Sequence, residues 1–125
     1  MSKKENKIKG NLGEYYACKF LEDQDYRIIE RNFSASRGEI DIIVLDKDEI
    51  VFVEVKTRCQ SFCGFPCESV NKIKKDHIYN VAEYYLYINN LLNSKVRFDV
   101  IEIYLYDNEK YTISHFKNAI LDKPK

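Results

Sequence analysis

The chain has 125 residues, enough for one hydrophobic core with a sheet and its covering helices, not for two independent domains. Hydrophobic residues make up 45% and charged residues 32%, a balance that excludes an intrinsically disordered chain. Twenty Lys and Arg offset twenty Asp and Glu, so the formal net charge is zero, which argues against a protein that coats nucleic acid through bulk charge.

The first ten residues hold Lys3, Lys4, Lys7 and Lys9 against Glu5 alone. They lead into no apolar signal region, and no later run nears the ~20 apolar residues of a membrane-spanning helix. The expectation is a cytoplasmic protein with no membrane partner. From about Asn6 to Asp23, Ile8, Leu12, Tyr16, Ala17, Phe20 and Leu21 recur at helical spacing and predict a first amphipathic helix. Tyr26 to Phe33 reads as a short strand, followed by a loop over Ser34-Ala35-Ser36-Arg37-Gly38. Glu39 to Leu45 and Ile50 to Thr57 are β-branched runs around the polar turn Asp46-Lys47-Asp48, the pattern of an antiparallel hairpin.

An irregular stretch from Arg58 to Glu68 carries Gly64, Pro66 and three of the four cysteines, Cys59, Cys63 and Cys67, with Cys18 on the first helix. Their spacing matches no common zinc or iron–sulfur pattern, and reduced thiols are expected. Between residues 56 and 75, Lys56, Arg58, Lys72, Lys74 and Lys75 face only Glu68, a second locally basic segment. Ser69 can cap a second helix running to about Leu92, with Val70, Ile73, His77, Val81, Tyr84 or Tyr85, and Ile88 on its apolar face. On that helix the Tyr84-Tyr85-Leu86-Tyr87 run is better read as packing than as a base-stacking platform. Lys95 to Leu105 and Tyr111 to Phe116 complete the chain as strands. The order is helix, three strands, helix, two strands, which predicts an α/β fold with a mixed sheet flanked by helices.

Strand alternation locates the chemistry. In the third strand Ile50, Phe52, Glu54 and Lys56 share one face, and Val51, Val53, Val55 and Thr57 share the other. In the second strand Ile40, Ile42 and Val44 fall on one face, and Glu39, Asp41, Ile43 and Leu45 on the other. Asp41 and Glu54 lie at similar distances from the turn, and adjacent strands are about 4.8 Å apart. Two carboxylates this close repel by about 4 kcal/mol at 4 Å in a medium of intermediate dielectric. A divalent cation between them relieves that repulsion, and Mg²⁺ commonly uses one or two carboxylates, waters and substrate phosphate. Lys56 adds a compact cation on the same face as Glu54. The competing reading is an exposed ion-pair cluster of little energetic weight.

The run Gly38-Glu39-Ile40-Asp41-Ile42-Ile43, with Phe52-Val53-Glu54-Val55-Lys56-Thr57-Arg58, resembles the active-site motif of the PD-(D/E)xK nuclease superfamily. More narrowly, the chain is similar over residues 8 to 120 to the YraN family of bacterial candidate endonucleases. Gly10-x-x-Gly13-Glu14-x-x-Ala17, Arg31-Asn32-Phe33, Val70-x-x-x-Lys74 and Arg97-Phe98-Asp99-Val100 support the likeness. The resemblance implies a restriction-endonuclease-like core and a Mg²⁺- or Mn²⁺-dependent endonuclease acting on DNA, including branched or repair-intermediate DNA. It implies Asp41, Glu54 and Glu14 as metal ligands, and Lys56 as the partner of phosphate or water. Arg37, Arg58 and Lys74 would contact backbone phosphates, and Glu39 would support the site from behind. It also implies that two copies pair into a homodimer. The alternative is a nucleic-acid-binding or assembly module that keeps the fold without turnover; the zero net charge and the acidic Asp76 beside Lys75 favour it.

Overall fold

A computed structural model of the chain describes residues 3–36, 38–59, 72–106 and 110–119, with backbone only at 3–11, 59 and 72–76. Seven elements follow the expected order: α1 (Lys3–Asp23), β1 (Arg27–Ala35), β2 (Gly38–Asp46), β3 (Glu49–Cys59), α2 (Lys72–Ile88), β4 (Lys95–Leu105) and β5 (Tyr111–Phe116). The strands form one sheet in the order β1-β2-β3-β4-β5. All pairs are antiparallel except β3 with β4, which α2 connects as a parallel crossover. Among the described residues no helix is long and apolar enough to cross a membrane.

The helices cover opposite faces of the sheet. Ala17, Cys18 and Leu21 of α1 pack on Ile42, Val44, Val51, Val53, Val55, Ile101 and Ile103. On the other face Val81, Ala82, Tyr85 and Leu86 of α2 pack on Ile40, Ile43, Ile50 and Phe52. With both faces covered, the central strand β3 is buried from Ile50 to Val55, which explains the apolar run Ile50–Val53.

Both helices stop by the same device. Asp25 (φ 68°) and Asn90 (φ 58°) take the left-handed conformation. The next amide then donates back to the last turn, from Tyr26 to the Leu21 carbonyl at 2.9 Å and from Leu91 to that of Leu86 at 2.7 Å. Each pair also joins its own core, Tyr26 with Leu21 on the α1 side and Leu91 with Leu86 on the α2 side. This cap ends α2 at Ile88, short of the expected Leu92.

The buried face of α2 is also rotated from the expected one. Ile78, Val81, Ala82, Tyr85 and Leu86 are buried, whereas Tyr84 and Ile88 are exposed and His77 is half-buried. The helix carries apolar residues around most of its girth, so spacing alone admits either face. Leu12 likewise turns to solvent on α1. The expected cap Ser69, with Val70, lies outside the described residues, as do the side chains of Ile8 and Ile73.

One polar cluster lies within the α1-side core. Arg97, on β4, donates to both carboxylate oxygens of Asp99, from Nε at 2.9 Å and from Nη2 at 3.0 Å. It also reaches Tyr26 Oη at 2.8 Å and the hairpin-end carboxylates of Asp46 and Glu49, both at 3.1 Å. His115 of β5 lies 2.7 Å from Asp99 Oδ2, and the Asn118 amide donates to Oδ1 at 3.0 Å. Asp99 has no solvent exposure. Burial pushes its carboxyl up, but the hydrogen bonds of His115, Arg97 and Asn118 outweigh that and hold it below the ordinary value. The hydrogen bonds to Asp99 in turn raise the Arg97 guanidinium further.

A carboxylate whose folded pKa is depressed stabilises the fold above its unfolded value, and that contribution disappears as pH falls through the folded value. Asp99→Ala takes the bidentate acceptor away from buried Arg97, leaving it Asp46, Glu49 and Tyr26, and is expected to cost about 3 kcal/mol by denaturant titration at neutral pH. Asp99→Asn is expected to flatten the acid limb of stability below about pH 4 relative to the wild type; an unchanged limb would show that another carboxylate controls it.

Candidate active site

The β2–β3 ladder runs from Asp46↔Glu49 through Leu45↔Ile50 and Val44↔Val51 to Ile43↔Phe52 and Ile42↔Val53, where it stops. The same register, continued by one step, would set Asp41 across from Glu54, and by two, Ile40 across from Val55. Instead the Val55 amide donates to Asp41 Oδ2 at 2.8 Å. The aspartate side chain takes the place of a strand carbonyl, and the two strands part at this point. Its carboxylate therefore rests against the Glu54–Val55 peptide.

The break reaches β1 as well. Arg31 pairs with Ile42 and Phe33 with Ile40, while Asn32 between them has a φ of 54°. Ile42 joins the α1-side core, but Ile40, two residues earlier, joins the α2-side core with Ile43. The expectation that Ile40, Ile42 and Val44 share a face is therefore wrong for Ile40. The two-residue period of β2 is broken between Ile40 and Ile42, and Asp41 stands at the break, turned toward β3.

Glu54 is 2% exposed. Val53 and Val55 on either side belong to the α1-side core, so Glu54 leaves β3 on the α2 side. Its parallel partner Val100 packs with Ile78 and Tyr79 of α2. Lys56 and Arg58 follow on the same face, both half-buried. Arg58 Nε donates to Glu102 Oε2 at 2.7 Å, and Glu102 is the cross-strand partner of Lys56. The face thus carries an acid and two cations in succession, with one cation already matched by Glu102.

Glu14 arrives from α1. Its Oε1 is 3.8 Å from Arg31 Nη2, and Arg31 is paired with Ile42, the residue after Asp41. The close approach of α1 depends on Gly13, where an added Cβ would fall on Thr57 Oγ1. Glu39 is exposed and accepts a hydrogen bond from Ser34 Oγ at 3.2 Å. Among the described residues no group of three or more His, Cys, Asp and Glu is gathered closely enough to hold a metal ion. The Asp41 carboxylate is held against the amide of Val55, the residue after Glu54, and Glu14 is linked to Arg31.

Arg37, Cys63 and Cys67 lie outside the described residues, as do the side chains of Lys74 and Cys59. Cys18 is a free thiol in the α1-side core, and burial pushes its pKa up, the behaviour of a packing residue rather than a nucleophile or ligand. Pattern reading missed His115 and the role of Arg97 and Asp99. One signal was present: Arg97 and Asp99 occupy the same strand face as the core residues Ile101 and Ile103, where a charge requires a partner.

Asp41 and Glu54 are hard-oxygen donors of the type that Mg²⁺ and Mn²⁺ prefer, and such ions complete their shells with water. The fold is that of an α/β protein with a five-stranded mixed sheet and a helix on each face. A family model described as "Uncharacterised protein family UPF0102" matches residues 13–103. Similar proteins include a UPF0102 protein of Clostridioides difficile (strain 630), 47% identical over 91% of this chain and 97% of its own length. One of Clostridium perfringens (strain SM101) is 50% identical over 94% and 97%, and one of Caldanaerobacter subterraneus 42% identical over 95% and 99%. The chain belongs to the UPF0102 family, also known as YraN.

Gly13→Ala is expected to push α1 off β3 and lower thermal stability, and adding Thr57→Ala is expected to recover most of the loss. Purely additive destabilisation in the double variant would show that the helix propensity of position 13, not the contact, sets the cost.

Proposed function

We propose that the chain is a divalent-metal-dependent endonuclease that hydrolyses phosphodiester bonds in DNA, including branched or repair-intermediate DNA. The observation that carries this reading is the hydrogen bond from the Val55 amide to Asp41 Oδ2. It fixes the Asp41 carboxylate against the backbone of the strand that carries buried Glu54, and the same strand carries Lys56 two residues later. The resemblance of this Asp41…Glu54-Val55-Lys56 set to the PD-(D/E)xK motif points the same way.

Asp41 and Glu54 would hold the metal, which supplies Lewis acidity at the scissile phosphate and a water acidic enough to attack near neutral pH. The backbone clamp orients Asp41 before anything binds, so little ordering cost falls on the bound state. Lys56 places a compact cation where negative charge develops on the phosphorus oxygens. Glu14 would serve as a third carboxylate only if its ion pair with Arg31 yields, which makes Arg31 a competitor for it. Arg37 and Lys74, and Arg58 to the extent that Glu102 releases it, would contact the backbone on either side. Glu39 supports the loop through Ser34. Two copies acting together would suit a symmetric junction.

Purified protein incubated with linear, flapped and four-way-junction DNA is expected to cut in Mg²⁺ or Mn²⁺ and to stop on chelation. Asp41→Ala and Glu54→Ala should abolish both cleavage and Mn²⁺ binding measured by calorimetry. Lys56→Ala should keep metal binding while kcat falls roughly 100- to 1000-fold. DNA binding that ignores metal, with no cleavage of any substrate, would instead identify a non-catalytic nucleic-acid-binding module.

A further inference from the structure

A cavity of about 330 Å³ opens between the end of β1 and the outer side of α2, lined by Ser34, Ala35, Ser36, Asn80, Val81 and Tyr84. Its size lies at the small end of the ~300–1,000 Å³ range of ligand pockets. Among the described residues the lining holds no carboxylate, ammonium or guanidinium. Ala35 and Val81 give it apolar wall, two serine hydroxyls and the Asn80 amide give donors and acceptors, and Tyr84 gives an aromatic ring. Flat, uncharged ligands with hydrogen-bonding edges and a π-face match that chemistry, and a nucleobase is such a ligand.

Position ties the cavity to the acidic pair. Ala35 pairs with Gly38 on β2, three residues before Asp41, a run of about 10 Å along the strand. That is about three nucleotides at 3.4 Å each. Gly38 lets α2 come this close, since a Cβ there would meet His77 Cβ at 3.3 Å and Val81 Cγ2 at 3.5 Å. Tyr84 is 49% exposed, yet its ring leans on Phe33 at 6.4 Å and an interplanar angle of 31°. Phe33 pairs with Ile40, the residue before Asp41. The packing role expected for the tyrosine run belongs to Tyr85, which is buried against Phe33 and Phe52. Tyr84 is a ring on the surface, braced from below and bordering a cavity.

We infer that this cavity receives one unpaired base of a DNA substrate, with Tyr84 as its stacking surface and Asn80 and the serines reading its edge. The inference rests on the nuclease reading for the presence of DNA, and it deepens that reading by naming the substrate class: DNA with an unpaired or extruded nucleotide close to the cleaved bond.

The test is equilibrium binding of two labelled duplexes, one with a single unpaired thymidine and one with an abasic residue at the same place. Ca²⁺ replaces Mg²⁺, since it carries the same charge and accepts looser coordination. Wild type is expected to bind the base-containing duplex roughly 5- to 100-fold more tightly, the contribution of one base stacked on an aromatic ring. Tyr84→Leu and, independently, Asn80→Ala should shrink that ratio toward one; both side chains reach solvent, and unchanged thermal unfolding will confirm that the variants fold. Asp41→Ala should keep the ratio, which separates the cavity from the acidic pair. Equal affinity of wild type for the two duplexes, no measurable binding to either, or a ratio untouched by both cavity variants overturns the inference. Cleavage by wild type in Mg²⁺, measured alongside, decides the nuclease reading separately: base discrimination without cleavage would leave the cavity and remove the enzyme.

Discussion

The architecture turns on one substitution of partners in the middle of the sheet, where a side-chain oxygen of Asp41 accepts the Val55 amide proton that a strand carbonyl would otherwise take. An unmet amide at the centre of a buried strand would carry a penalty of about 1–3 kcal/mol, so β3 can part from β2 only because the aspartate meets that need. The same bond turns the carboxylate onto the backbone of β3 next to Glu54, at the point where the β2–β3 ladder ends. Backbone satisfaction and site geometry are therefore a single feature. A residue with a carboxylate of different reach would have to give up one or the other.

The far end of the same hairpin is secured by opposite means. There Arg97 gathers Asp46, Glu49 and Asp99 around one guanidinium, with Tyr26 and His115 closing the cluster. Since Arg97 pairs with Val51 and Asp99 with Val53, the cluster holds the parallel register of β4 against β3. That register in turn sets Val100 beside Glu54 and Glu102 beside Lys56. Buried charge is a poor source of net stability compared with well-packed apolar groups, and its attested use is to specify an arrangement. Its position here, one strand from the acidic pair, is consistent with such a role.

The element order and the hairpin were legible in the sequence, because β-branched runs around Asp46-Lys47-Asp48 leave little choice of strand or turn. The side of the sheet taken by Ile40 was not, since Asp41 leaves the regular ladder to bond the Val55 amide of another strand, and no local pattern encodes that. The face of α2 escaped for another reason. Tyr84 and Tyr85 are equally apolar, and only the fit of Tyr85 between Phe33 and Phe52 separates them. His115 was opaque because its partner is 16 residues away on a neighbouring strand. Long-range polar contacts leave no period to detect.

Gly13 carries one more implication. α1 is a rod of 21 residues, about 30 Å long, and near its midpoint Gly13 meets Thr57 of the sheet with no room for a Cβ. A rod resting on a fulcrum converts a small displacement there into a larger one at its tips. Its leading half carries the lysine-rich start of the chain, and its trailing half is anchored through Leu21 and Tyr26. The bare α-carbon of one glycine therefore decides how high the basic tip rides above the strands.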